Sequence, residues 1–152
     1  MVYRSSYLTS RTLCKRGLAT WAPTSEHRGR TDRKLVSEKG GKINVERPKV
    51  LYNRKIGKFV MWMHVENGVD YNDAACGIAV CDTPDGDFTY LGCFNPFGYM
   101  SRDCTLFEDK DGSAYFISAS RDNADLHVYR LTADYLNADC LVHKLWQGES
   151  DR

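Results

Sequence analysis

Phe59-Val60-Met61-Trp62-Met63-His64-Val65 is the stretch whose reading decides the fold. Bulky apolar side chains fall on both of its faces, which predicts a strand buried on both sides. Before it, Val50-Leu51-Tyr52 is a short apolar run, and Asn53-Arg54-Lys55-Ile56-Gly57-Lys58 is a polar turn with its glycine near the end. After it, residues 66–73 read as a loop and Ala74 to Cys81 as a further strand. Thr83-Pro84-Asp85-Gly86-Asp87 is a turn, and Phe88 to Gly92 is a fourth strand.

The same order then returns. Cys104-Thr105-Leu106-Phe107 is a short strand, Glu108-Asp109-Lys110-Asp111-Gly112 a polar turn, and Ser113 to Ala119 a long apolar strand. A polar loop at 121–125 precedes an alternating strand from Leu126 to Leu131, and a last strand falls near Cys140 to Leu145. Gly57 and Gly112 stand 55 residues apart at matching places. Four short strands recurring with a period of about 50 residues is the pattern of a β-propeller blade. The competing reading is two unrelated antiparallel meanders in a sandwich. Either way the fold class is all-β.

Composition sets the outer bounds. The chain has 152 residues, 42% hydrophobic and 27% charged, which fits a folded globular protein and argues against disorder. No run reaches the roughly 18–20 apolar residues that a spanning helix needs, so no membrane partner is expected. Residues 1–10 are polar and show no signal-peptide core, which leaves the compartment open. The net charge of +1 hides a division: residues 1–58 carry 15 Lys/Arg against 4 Asp/Glu, and residues 59–152 carry 6 against 16. A basic segment can bind nucleic acid, but no aromatic residues interleave the stretch His27–Lys42. It reads as a solvated arm or one that pairs with an acidic body, and no nucleic-acid partner is expected. Residues 22–44 read as a long loop. The six cysteines show no metal-ligand spacing, and most sit in apolar runs. They read as small buried side chains in preference to disulfides, mildly favouring a reducing compartment. The segments around Asp85 and Asp111 lack a full calcium-ligand set and read as turns. No metal and no cofactor is expected.

Two carboxylates occupy nearly equivalent blade positions. Glu46, in Val45-Glu46-Arg47-Pro48-Lys49-Val50, precedes one strand as Asp103 precedes Cys104–Phe107. If first strands line a central channel, the pair converges on one axis, as acid/base glycoside chemistry requires. Against this, Glu46 and Arg47 can be an exposed loop pair, and Arg102 can neutralise Asp103. Pro48 biases Arg47 toward extended backbone. Tyr71 could meet a sugar or be an ordinary loop tyrosine. Phe94, Phe97 and Tyr99 could form a sugar platform or pack on the sheet. Asn123 lies in a loop where it could bind hydroxyls. His64 and His127 read as satisfied core histidines in preference to ligands.

Glu46-Arg47-Pro48-Lys49-Val50, Met61-Trp62-Met63-His64, Ser101-Arg102-Asp103-Cys104-Thr105-Leu106-Phe107 and Asp111-Gly112-Ser113-Ala114-Tyr115 occur in an order and spacing that resembles glycoside hydrolase family 43, nearest to its exo-β-1,3-galactanase branch. The likeness covers about residues 45–148. A weaker one, Arg4-Ser5-Ser6 with Arg16-Gly17-Leu18-Ala19, resembles part of that family's first blade. The resemblance implies a five-bladed β-propeller, of which this chain holds about two complete blades (45–152) plus part of a first (1–44). It implies hydrolysis of a glycosidic bond with inversion and a polysaccharide or oligosaccharide partner. Asp103 matches the carboxylate that tunes the general acid's pKa, Glu46 an active-site carboxylate at the sugar, and Tyr71 and Asn123 sugar-contacting positions.

The family's general acid is a Glu shortly beyond a Trp-x-Gly segment. Here Trp146-Gln147-Gly148-Glu149-Ser150-Asp151-Arg152 runs up to that point, and the motif around Glu149 is wrong for the role. The water-activating group has no match either. The chain is therefore expected to be a fragment without hydrolytic activity of its own, prone to self-association through exposed blade faces. The alternative function is a non-catalytic carbohydrate-binding propeller module.

Overall fold

The computed structural model describes residues 43–147. The expectations for residues 1–42, for the basic arm and for Glu149 to Arg152 lie outside them. The described residues form two four-stranded antiparallel sheets, each a simple meander. The first contains β1 (Asn44–Asn53), β2 (Lys58–Glu66), β3 (Ala75–Cys81) and β4 (Thr89–Phe94). The second contains β5 (Cys104–Glu108), β6 (Ala114–Ser120), β7 (Asp125–Leu131) and β8 (Ala138–Leu145). The all-β class and the four-strand repeat are thus observed.

The repeat has a local cause. Each sheet opens with a hairpin whose turn ends in a left-handed glycine, Gly57 at φ 62° and Gly112 at φ 82°. A side chain is strained at that φ, which glycine adopts freely. Asn53 organises the first turn: its Oδ1 accepts the Lys55 and Ile56 amides at 3.0 and 3.1 Å. Its Nδ2 donates to the carbonyl of Ala133 at 2.9 Å, which ties the first sheet to the second. Replacing this buried residue, Asn53→Ala, is expected to cost about 1–3 kcal/mol, since the Ala133 carbonyl and two amides lose partners. Urea unfolding measures this, and an unchanged midpoint would refute it.

One hydrophobic core lies between the sheets. Val60 and Trp62 of β2 meet Phe116 and Tyr129 of the second sheet, all fully buried. The Trp62 ring lies 4.6 Å from Phe116 and edge-on to Phe94 at 5.8 Å. Its indole N–H donates to the carbonyl of Tyr135 at 2.8 Å. The Phe97 ring stacks on Tyr129 at 6.1 Å, so this aromatic loop packs over the second sheet, one of its two sequence readings.

Three expectations are corrected. β1 begins at Asn44, not after Pro48. Arg47 is not extended but left-handed, at φ 52°. The pairing explains both: Glu46 faces His64 and Lys49 faces Trp62, so Arg47 and Pro48 together oppose Met63 alone. This is a β-bulge, a place in a strand where proline is tolerated because the ladder needs no donor from it. Third, Cys93 is disulfide-bonded, while Cys76, Cys81, Cys104 and Cys140 are free. Pairing depends on distance between Cα atoms, which sequence spacing does not reveal.

Candidate functional site

β1 and β5 begin side by side, and the site lies where they do. The segment leading into β5 is stitched to both sheets. The Ser101 amide donates to the Ala74 carbonyl at 2.6 Å, and the Arg102 amide to the Ala119 carbonyl at 2.9 Å. The Ala119 amide returns a bond to the Asp103 carbonyl at 2.9 Å. Asp103 is thereby presented beside the bulge in β1.

Glu46, Tyr71 and Asp103 come together there. The Tyr71 hydroxyl donates to Glu46 Oε1 at 2.7 Å. That bond, with the carboxylate's charge, raises the Tyr71 phenol above its ordinary pKa. One ligand atom each from Glu46, His64 and Asp103 lies within 4.8 Å of the others. Asp103 pairs with Arg47 at 2.8 Å, not with its sequence neighbour. Arg102 instead reaches Asp122 at 2.8 Å and the Tyr71 carbonyl at 3.0 Å. Its guanidinium also lies 5.9 Å from the centre of the Tyr71 ring. Asn123 is exposed in the loop between β6 and β7, one residue beyond Asp122, at φ 71°. It adjoins the cluster through Asp122 and Arg102, with no direct bond of its own to Glu46 or Asp103 among the described contacts.

Three further side chains of this cluster were not read as part of it from the sequence. Arg47 is the cation of Asp103, and the Asp103 bond raises its pKa further. His64 is buried beneath Glu46, with Nδ1 3.6 Å from Glu46 Oε2. Glu66, fully buried, holds the other ring nitrogen, with Nε2 2.7 Å from its Oε1. Glu66 also accepts the Ala74 amide at 3.0 Å and the Asp73 amide at 3.1 Å, closing the loop that carries Tyr71. A signal existed: residues 64 and 66 share one face of a strand, and the hairpin puts Glu46 opposite His64. His127 is buried in the core as expected, with Nδ1 2.9 Å from the Tyr129 hydroxyl, but it is not fully satisfied: its Nε2 has no hydrogen-bond partner among the described groups.

The partners of the two carboxylates decide what this arrangement can do. The nearest oxygens of Glu46 and Asp103 lie within 4.8 Å, and Tyr71 and Arg47 already engage the two carboxylates. The carboxylates can receive hydroxyl groups and bias a neighbouring group electrostatically. Glu46, His64 and Asp103 have donor types a divalent cation accepts, but Arg47 already supplies a positive charge against Asp103. The neighbouring Cys104 thiol is pushed up to about 11 by burial, so it is no nucleophile at neutral pH.

No family model and no curated protein matches the chain. Solved structures do. An exo-β-1,3-galactanase from Clostridium thermocellum is 51% identical over 68% of this chain, with a TM-score of 0.66. An exo-β-1,3-galactanase from Phanerochaete chrysosporium, solved with β-1,3-galactotriose, is 39% identical over 70%, with a TM-score of 0.67. A family 43 β-1,3-galactosidase is 32% identical over 82%, with a TM-score of 0.68. The matched region spans about a quarter of each, namely 25%, 25% and 26% of their lengths.

Proposed function

Since the chain belongs with the exo-β-1,3-galactanases of glycoside hydrolase family 43, we propose that it supplies part of the galactose subsite of an exo-acting, inverting β-1,3-galactan hydrolase. In this reading its two sheets are neighbouring blades of a five-bladed propeller, and β1 and β5 face the central channel. Glu46 receives sugar hydroxyls, steadied by Tyr71. Asp103, balanced by Arg47, tunes the pKa of a general acid contributed elsewhere in a longer protein. Asn123 meets the sugar at the rim.

The observation that carries this reading is the convergence of Glu46, Tyr71 and Asp103 from two separate sheets onto one place. The pairing of Asp103 with Arg47 and of Glu46 with Tyr71 supports giving the protonating and water-activating steps to other groups. The chain alone is then inactive.

Incubating the purified 152-residue chain with β-1,3-galactan should release no galactose above a blank. Titrating galactose should shift the amide resonances around Glu46, Tyr71 and Asp103. Robust turnover would overturn the division of labour, and an unperturbed spectrum at high galactose would overturn the subsite.

A further inference from the structure

His64 is 2% exposed, yet its Nδ1 has no hydrogen-bond partner among the described groups. Buried polar atoms are almost always paired, so this one calls for a reason. Its surroundings limit the reasons. Glu66 is a carboxylate already accepting two backbone amides, so the 2.7 Å contact makes His64 Nε2 the donor. The ring is thereby locked in orientation from the buried side. Nδ1 is then aimed at Glu46 Oε2, 3.6 Å away. Tyr71 holds the other oxygen, Oε1.

We propose that His64 is a positioning residue: through it the buried Glu66 sets the angle at which the Glu46 carboxylate meets a sugar hydroxyl. The inference rests on the galactose-subsite reading above. At 3.6 Å the contact is longer than a hydrogen bond, and such bonds in unliganded sites are commonly long and tighten when the ligand arrives. The contact attracts when Nδ1 carries a proton. The charged groups facing the ring are Glu66 and Glu46, with Asp103 nearby and Arg47 as the opposing charge. With Tyr71 bonded to Oε1 and His64 Nδ1 closing on Oε2 when a ligand arrives, Glu46 would have both oxygens held and a lone pair on each for a sugar hydroxyl.

The test uses the 152-residue chain with its histidine ring nitrogens labelled with 15N. Glu46→Gln should move the His64 Nδ1 resonance while Nε2, held by Glu66, hardly responds. Galactose should move Nδ1 in the wild type. In binding measurements His64→Phe should weaken galactose by roughly tenfold, the worth of one hydrogen bond to a charged group. His64→Asn, which can place an amide donor toward Glu46, should recover part of the loss. The Glu46→Gln and His64→Phe effects should be strongly non-additive.

An Nδ1 resonance indifferent to Glu46→Gln would overturn the proposal, as would His64→Phe binding galactose within twofold of wild type. If no form binds galactose, the subsite reading falls. The Nδ1 response to Glu46→Gln still decides whether His64 and Glu46 are coupled.

Discussion

Trp62→Ala is expected to cost about 3–5 kcal/mol, the usual range for deleting a buried aromatic side chain. Small domains have only about 5–15 kcal/mol in total, so a large share of the molecules should unfold under mild conditions. Trp62 is fully buried in the single core between the sheets. Truncation removes its contacts with Phe94 and Phe116 and leaves a cavity that two stiff sheets cannot easily close. It also strands the Tyr135 carbonyl, which accepts the indole N–H at 2.8 Å. Trp62→Phe keeps most of the packing and loses that bond, so its cost should be nearer 1–2 kcal/mol. Urea unfolding of the three forms gives the ladder. A loss below about 1 kcal/mol for Trp62→Ala would mean that the sheets do not depend on this core.

Glu66→Leu should have an effect of similar size, about 3 kcal/mol, for a different reason. Leucine fills the space but accepts nothing. The buried Ala74 amide, the Asp73 amide and the His64 Nε2 proton would all lose their acceptor. Ala74 is also held at φ 40°, an unfavourable conformation that these bonds sustain. The loop bearing Tyr71 should therefore loosen before the sheets do. Glu66→Gln keeps an acceptor for the amides and should recover roughly half of the loss. Hydrogen exchange at Ala74 reports the loop, and denaturant unfolding reports the whole. Ala74 protection unchanged in Glu66→Leu would contradict the argument.

The fold was far more legible than the site. Phe59–Val65 and Ser113–Ala119 announce strands through apolar runs, and Gly57 and Gly112 mark equivalent turns because their φ values admit little else. Those signals are local. The site depends on partners across strands and sheets. Arg102 adjoins Asp103 in the chain, yet Arg47 pairs with it, since the packing of β1 beside β5 decides which guanidinium arrives. The bulge was hidden for the same reason: two residues against one is a property of a pair of strands. His64 reads like any strand histidine until its neighbours are known. Glu46 and Asp103 stood out as carboxylates at matching strand positions and Tyr71 as a loop tyrosine, motif resemblance supplied their roles, and the structure adds that they meet.

In an unbroken strand, residues three apart point to opposite sides. Glu46 and Lys49 are three apart, yet they pair with His64 and Trp62, which are two apart. The extra residue at Arg47–Pro48 thus works as a phase shifter in the pleat. Below it, Leu51 and Asn53 keep the parity that the core and the Ala133 tie demand. Above it, Glu46 follows a parity of its own. The end of the strand that carries Glu46 can therefore be re-aimed by changing one joint, while the end that holds the molecule together stays in frame.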